Sequence, residues 1–148
     1  MQALYAFKLA GGDPQHCINT VLKPDLAENE ANLKFATNLF LRSLDYFDIA
    51  DEIIANHTQN WEISRIALID RLLLVMAICE FLSFEDIPPK VSINEAIEVA
   101  KKYSTSRSGK FINGILDAVL LDLQKEGKLK KSGRGLVGMD TIQSRIVS

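Results

Sequence analysis

Hydrophobic residues recur at intervals of three and four along most of the chain, a pattern typical of amphipathic α-helices. The longest such run covers residues 28–57, with a bend expected at Asp45–Asp48. Its apolar positions are Leu33, Ala36, Leu39, Phe40, Leu44, Phe47, Ile49, Ile53 and Ile54. No convincing strand pattern and no internal repeat occurs in the sequence, so we predict an all-α fold.

Two short helices are predicted before this run. The first covers residues 1–10 and ends at the pair Gly11 and Gly12. Asp13 followed by Pro14 is typical of a helix start, with the aspartate as N-cap and the proline in the first turn. We therefore predict a second helix over Pro14–Leu22, interrupted at Pro24.

A central helix is predicted over Arg65–Phe84, within a unit that begins at Trp61 and with Ser64 as the N-cap. This segment is apolar on nearly all sides, which indicates a helix surrounded by the others. The consecutive prolines at 88 and 89 are expected to end it.

Two further helices are predicted after the prolines. Ser92 and Glu95 have the spacing of a capping box, which predicts a helix over Ile93–Tyr103. A polar turn is expected from Thr105 to Gly109, followed by a last helix over Gly109–Lys125. The predicted buried residues of these two helices are Ile93, Ala96, Ile97, Ala100, Phe111, Ile112, Ile115, Leu116, Val119, Leu120 and Leu123.

The chain length of 148 residues allows one domain, or two small sub-bundles that share a core. Hydrophobic residues make up 47% and charged residues 24%, which is a globular composition. Residues 126–148 contain four of the eight glycines and five Lys/Arg, with little periodicity. We predict a flexible C-terminal tail there.

Candidate catalytic and metal-binding chemistry is sparse. The two cysteines lie 62 positions apart and only two histidines occur, which argues against a zinc cluster or a disulfide framework. The sequence has no phosphate-binding glycine motif, no nucleophile elbow and no HExxH. Asp70 and Glu80 are about 15 Å apart along one helix, too far for an acid–base pair. We predict a protein that is not an enzyme, with no catalytic residue, metal or cofactor.

The distribution of charge changes this picture. Residues 1–100 carry seven Lys/Arg and fifteen Asp/Glu, whereas residues 101–148 carry ten and four. This asymmetry indicates either an anionic partner at the C-terminal end or a basic tail that only aids solubility. No secretory signal is visible, and the most apolar stretch contains three charged residues, so we expect a cytoplasmic protein without a membrane span.

Four segments carry a resemblance to a known family. They are Gln-Ala-Leu-Tyr at residues 2–5, RIALIDRLLLVMAICEF at 65–81, IPPKVSINEAIEVAKKYS at 87–104 and KFINGILD at 110–117. Together they resemble the NusB family of bacterial transcription antitermination factors, over about residues 1–125. The resemblance implies an all-helical fold of two small bundles, here about residues 1–58 and 59–125.

The resemblance also implies a function. Family members bind the boxA segment of nascent ribosomal RNA together with NusE, a small-subunit ribosomal protein, and join the RNA polymerase antitermination complex. Members usually carry an arginine-rich arm before the Gln-Ala-Leu-Tyr motif. Here the motif begins at residue 2, so either the arm lies upstream of Met1 or this form lacks it. The usual acidic residues before Lys110 are replaced by Ser104–Gly109, which makes this end more basic.

Candidate RNA-binding residues follow from the resemblance and from their chemistry. Lysine and arginine would contact phosphates, a tyrosine or phenylalanine ring could stack on an unpaired base, and a glutamine amide could read a base edge. For Phe111 the alternative is a core position, and for the cations a solvated face. Asn113 could instead make a local hydrogen bond. The candidates are Gln2, Tyr5, Lys101, Lys102, Tyr103, Arg107, Lys110, Phe111 and Asn113.

Charged residues on so apolar a helix as the central one must reach solvent, pair or meet a partner. The resemblance implies that this region contacts NusE, which makes Asp70, Arg71 and Glu80 the candidate contacts. The alternative is internal pairing, either with Arg65 or with a neighbouring helix. Two other functions stay open. One is a structural interaction module without useful RNA affinity, such as an armless paralogue or a homodimer. The other is an RNA-guiding module related to a ribosomal RNA methyltransferase.

Overall fold

The computed structural model describes residues 1–58, 66–103, 105–140 and 142, and within these residues every regular element is helical. Ser64, Arg65 and Trp61, predicted to open the central unit, lie outside the described residues. The helices are α1 (Gln2–Ala10), α2 (Pro14–Cys17), a π-helical turn (Ile18–Leu22), α3 (Lys23–Leu26), α4 (Glu30–Asp45), α5 (Phe47–Asn56), α6 (Leu68–Ser83), α7 (Pro89–Tyr103), α8 (Ser106–Lys125) and a 3₁₀ turn (Gly133–Leu136).

The prediction of an all-α fold is confirmed, and α6 is its central helix. Ten of the sixteen residues of α6 are buried, on all its sides, as expected for a helix of uniformly apolar sequence. It packs against α1, α4, α5, α7 and α8. The proposed division near residue 58 stays a prediction, because α6 contacts helices from both parts.

The N-terminal elements agree with the sequence except at Pro24. The side chain of Asp13 accepts a hydrogen bond of 3.0 Å from the Gln15 N–H, which confirms its role as N-cap. Contrary to the prediction, Pro24 does not interrupt the helical path. The chain continues through the π-helical turn into α3, where the proline occupies the first turn and needs no backbone donor.

The predicted bend at residues 45–48 is present. Helix α4 ends at Asp45, and Tyr46 separates it from α5. Most of the predicted apolar face is buried or half-buried, but Ile49 is half exposed. The apolar face of α5 therefore points in a different direction from that of α4.

The start of α7 differs from the prediction. The helix begins at Pro89, not after a Ser92–Glu95 capping box. Proline is favoured in the first turn because its missing N–H would have no partner there. Ser92 lies inside the helix with its side chain buried. Of the predicted buried stripe, Ile93, Ala96 and Ala100 are buried, whereas Ile97 is half-buried.

The two histidines and two cysteines behave as ordinary structural residues. His57 follows α5, where Nδ1 is 2.9 Å from the carbonyl oxygen of Ile53 and Nε2 is 2.6 Å from an oxygen of Asp122 on α8. Cys79 lies in the core of α6, and burial raises the pKa of its thiol to about 11. Cys79 is fully buried, as a small apolar residue of the core.

The segment after α8 packs against the end of α6 over its described part, in contacts that the prediction of a flexible tail does not include. We call residues 126–140 the C-terminal strap. Its Ser132 N–H donates to the carbonyl oxygen of Glu85, and Gly135 is buried against the same carbonyl. Composition indicated flexibility, but glycine here permits a close backbone approach that a side chain would prevent.

Candidate nucleic-acid interface

The first turn of α1 meets the last turn of α7. Ala3 and Leu4 turn into the core, which leaves Gln2 and Tyr5 on the outer face of α1. The amide nitrogen of Gln2 donates a hydrogen bond of 3.1 Å to the hydroxyl oxygen of Tyr103, the last residue of α7. The structure thus joins two candidate RNA-binding segments that are far apart in the sequence.

Two lysines accompany Tyr103. Lys102 places its ammonium 5.4 Å from the centre of the Tyr103 ring, within the range of a cation–π contact. Lys101 is exposed and lies 3.3 Å from Glu98, one turn back. Tyr103 itself is 40% exposed. An exposed ring can stack on an unpaired base, while a cation beside the ring contacts the phosphate of the same nucleotide.

The first turns of α8 continue this basic surface. Arg107, Lys110 and Asn113 are exposed at a spacing of three, so they share one face of the helix. Helix α8 begins at Ser106, three residues earlier than predicted, so Arg107 is helical and not part of a loop. Phe111 is half-buried and packs against the core, which favours the structural alternative for this ring.

Asp70 does not reach the surface. Only 7% of it is exposed, and its Oδ2 accepts a hydrogen bond of 3.0 Å from the Ser108 hydroxyl in the first turn of α8. The internal alternative is therefore realised at Asp70, with a serine as its partner. A direct contact of this carboxylate with another protein would require the helices to separate.

Arg71 also pairs internally. Its Nε donates to Oδ1 of Asp51 on α5 at 2.9 Å, and its terminal nitrogen contacts the other oxygen of the same carboxylate. The hydrogen bond to Asp51 raises the pKa of the guanidinium. The Phe47 ring lies between two cations, with Arg71 Cζ at 5.4 Å and Lys8 Nζ at 3.7 Å from its centre.

Glu80 borders a cavity in the described part of the chain. The cavity has a volume of about 710 Å³ and lies among α4, α6, α7 and the C-terminal strap. Its walls are mostly apolar, and Phe35 and Val91 at the rim are each 45% exposed. Burial raises the pKa of the Glu80 carboxyl to about 7.

Lys131 of the strap closes the end of α6. Its ammonium donates to the carbonyl oxygens of Glu80 at 2.9 Å and of Phe84 at 2.7 Å. These oxygens also accept the backbone N–H groups of Phe84 and Ile87, so the lysine adds a second donor at the helix end. Burial lowers the pKa of Lys131 to about 8. Sequence reasoning missed this group, since Lys131 was assigned to a flexible tail.

Among the described residues, no cluster of His, Cys, Asp and Glu could hold a metal ion. None of the helices in that same part of the chain is long and apolar enough to cross a membrane. The fold and the site together define a helical binding protein with a basic, partly aromatic face at one end.

Comparisons with known proteins agree with this class. The model of the NusB family matches residues 1–121. "Transcription antitermination protein NusB" of Salinibacter ruber is 53% identical over 145 residues, which is 98% of this chain and 91% of the relative. The chain belongs to the NusB family. This confirms the resemblance, and with it the prediction of a non-enzymatic transcription antitermination factor.

Solved structures give the same fold. NusB from T. maritima aligns with a TM-score of 0.73 and 31% identity, covering 80% of this chain and 83% of that one. A structure of antitermination factors NusB and NusE in complex with double-stranded RNA aligns with a TM-score of 0.72 and 24% identity. It covers 80% of this chain and 87% of the matched chain.

Proposed function

We propose that this protein is a non-enzymatic RNA-binding adaptor in transcription antitermination that acts together with NusE in the cytoplasm. The observation that carries the proposal is the Gln2–Tyr103 hydrogen bond, because it places an amide, a ring and the neighbouring lysines on one surface. We call Gln2, Tyr5, Lys101, Lys102, Tyr103, Arg107 and Lys110 the RNA surface.

The chemistry of the RNA surface favours an unpaired strand over a duplex. Unpaired bases can stack on an exposed ring, whereas the bases of a duplex are already stacked on one another. Tyr5 and Tyr103 are each more than one third exposed. The proposed ligand is a boxA-like segment of ribosomal RNA. Phe111 contributes to the surface mainly by packing beneath it, and Asn113 extends it along α8.

The proposed contact surface for NusE is the cavity beside Glu80, which we call the groove. Asp70 and Arg71 are engaged within the protein, so of the three candidates on α6 Glu80 is the one next to an open apolar groove. Exposed Phe35 and Val91 at its rim are the kind of apolar anchor points that partner proteins cover. Through NusE and RNA the adaptor would join the RNA polymerase antitermination complex.

The deciding experiment is a titration of a labelled boxA oligonucleotide with and without saturating NusE, at two salt concentrations. We expect RNA to bind more tightly when NusE is present, and NusE to bind more tightly by the same factor when RNA is present. A duplex of the same sequence is the control ligand. Equal affinities with and without NusE would reject the adaptor mechanism.

A homodimer that covers the RNA surface is the main alternative, and the same samples test it. Gel filtration over a range of concentrations would detect such a dimer, and RNA would then compete with its formation. A monomer that binds the oligonucleotide excludes the alternative. A dimer unaffected by RNA, with no detectable RNA binding, would establish it in place of the adaptor.

A further inference from the structure

A buried carboxylate lies beneath the first turn of α8. Asp70 and Ser108 are 7% and 6% exposed, and their hydrogen bond joins the start of α6 to the start of α8. The second carboxylate oxygen, Oδ1, is buried and has no hydrogen-bond partner among the described residues. The hydrogen bond from Ser108 therefore offsets much of the free-energy cost of removing this carboxylate from water.

The position suits a negative charge. Asp70 is the third residue of α6 and Ser108 the third residue of α8, so the carboxylate lies near the N-terminal ends of both helices. Free N–H groups and the helix dipoles favour an anion there. A carboxylate held by both helix starts fixes the first turn of α8 relative to α6.

That turn carries two cations of the RNA surface. Arg107 directly precedes Ser108 and Lys110 follows two residues later, both exposed. The Thr105 hydroxyl lies 3.4 Å from the Ser108 hydroxyl, and the Ser108 N–H donates to the Thr105 carbonyl oxygen at 3.1 Å. The anchored serine thus fixes the backbone that presents both cations.

We infer that Asp70 is a positioning residue of the RNA surface, acting through Ser108 to hold Arg107 and Lys110 where they contact phosphates. The inference rests on the proposed function and assigns Asp70 to RNA binding instead of a direct contact with NusE. Asp70 does not touch the RNA. Its contribution is to keep two cations in place before the ligand arrives, so less ordering is needed on binding.

The test measures oligonucleotide affinity against salt concentration for Ser108→Ala and for Asp70→Leu, which removes the acceptor of the Ser108 hydroxyl. Each phosphate contact to a single strand contributes about 0.7 to the slope of log affinity against log salt. We expect both variants to lower that slope by up to about 1.4, as the double variant Arg107→Gln/Lys110→Gln does. Ser108→Thr retains the hydroxyl and should restore the slope.

Two further comparisons separate positioning from general loss of structure. Ser43→Ala removes another buried serine hydroxyl, on α4, and should leave the slope unchanged. Adding Ser108→Ala to the Arg107→Gln/Lys110→Gln variant should cost nothing more, because the residues it positions are already gone. Asp70→Leu retains the branched shape of the side chain without an acceptor, so it keeps the test valid if Ser108→Ala unfolds.

The outcomes distinguish the inference from the proposed function. If the unaltered protein does not bind the oligonucleotide, the proposed function fails and the inference with it. If it binds and the Arg107/Lys110 variant weakens binding, but Ser108→Ala and Asp70→Leu bind normally, only the inference is overturned. Additive losses, or normal binding by the Arg107/Lys110 variant, would also overturn it.

Discussion

The amide nitrogen of Gln2 and the hydroxyl oxygen of Tyr103 are 3.1 Å apart, although 101 positions separate the two residues. The bond lies on the surface and ties the first helix to the end of α7. Its strength is modest, because exposed groups exchange protein hydrogen bonds for water with little net gain. The bond orients the Tyr103 ring and the Gln2 amide next to each other.

Substitutions of Tyr103 separate the ring from this hydrogen bond. We expect Tyr103→Ala to weaken oligonucleotide binding by about 1–3 kcal/mol, because a stacking ring is lost. Tyr103→Phe keeps the ring and should cost at most about 1 kcal/mol. Fluorescence anisotropy measures both affinities, with thermal melting to confirm folding. Equal losses for the two variants would show that the hydroxyl matters, not the ring.

The two lysines at the end of α7 should differ in their contribution. Lys101 is close to Glu98, whereas Lys102 lies beside the Tyr103 ring. We expect Lys102→Gln to lower the salt-dependence slope of RNA binding by about 0.7, and Lys101→Gln to lower it by less. Lys34→Gln, an exposed lysine on α4, serves as the matched control. An equal effect for all three would indicate only a general influence of net charge.

Glu80 should make stability depend on pH. Burial raises its pKa from 4.5 to about 7, so between these values the folded protein holds a proton that the unfolded chain releases. Its contribution to the free energy of unfolding therefore falls as the pH rises through this range. We expect Glu80→Gln to gain up to about 3 kcal/mol relative to the unaltered protein between pH 4.5 and pH 8.

Urea unfolding at the two pH values measures this difference. Glu98→Gln is the control, because an exposed ion pair on α7 contributes well below about 1 kcal/mol. If the stability difference between Glu80→Gln and the unaltered protein is the same at both pH values, the carboxyl does not bind a proton on folding.

Gly135 should tolerate no side chain. A Cβ atom there would lie 1.9 Å from the Glu85 carbonyl oxygen, so the strap or the α6–α7 turn must shift. We expect Gly135→Ala to lower the free energy of unfolding by about 1–3 kcal/mol. Hydrogen exchange at the Ser132 amide, which bonds to Glu85, should become faster.

Gly114→Ala provides the contrasting case. A Cβ atom at Gly114, inside α8, meets nothing within 4 Å. Alanine should raise stability there by about 0.5–1 kcal/mol, because it favours the helix and restricts the unfolded chain. Thermal unfolding of the two variants side by side tests the argument. Destabilisation by Gly114→Ala as well would show that open space around a glycine does not predict its tolerance of a side chain.

The sequence predicted the helices well where periodicity alone determines them. The stripe Ile93, Ala96 and Ala100 is buried, and the break between α4 and α5 lies within the predicted bend. The prediction from the sequence was wrong at prolines, because a proline can either end a helix or occupy its first turn. Helix α6 already ends at Ser83, before the prolines, and Pro89 begins α7. Pro24 lies in a first turn that tolerates it.

The candidate site was predictable only as a set of residue types. The sequence motifs identified both Gln2 and Tyr103 as candidate RNA-binding residues. Their hydrogen bond, however, depends on how α1 packs against the end of α7. The bond from Ser108 to Asp70 likewise joins positions 38 residues apart, which periodicity within one helix does not report. Long-range pairs of this kind need the packed structure.

The C-terminal strap follows the residues that the family model matches, yet it supplies one side of the groove beside Glu80 through Arg134 and Val137. Changes in the exposed side chains of Arg134 and Val137 would therefore reshape that groove without altering any of the α-helices. Exchanging this short segment should thus change the proposed partner contact, while the helical scaffold and the proposed RNA surface stay constant.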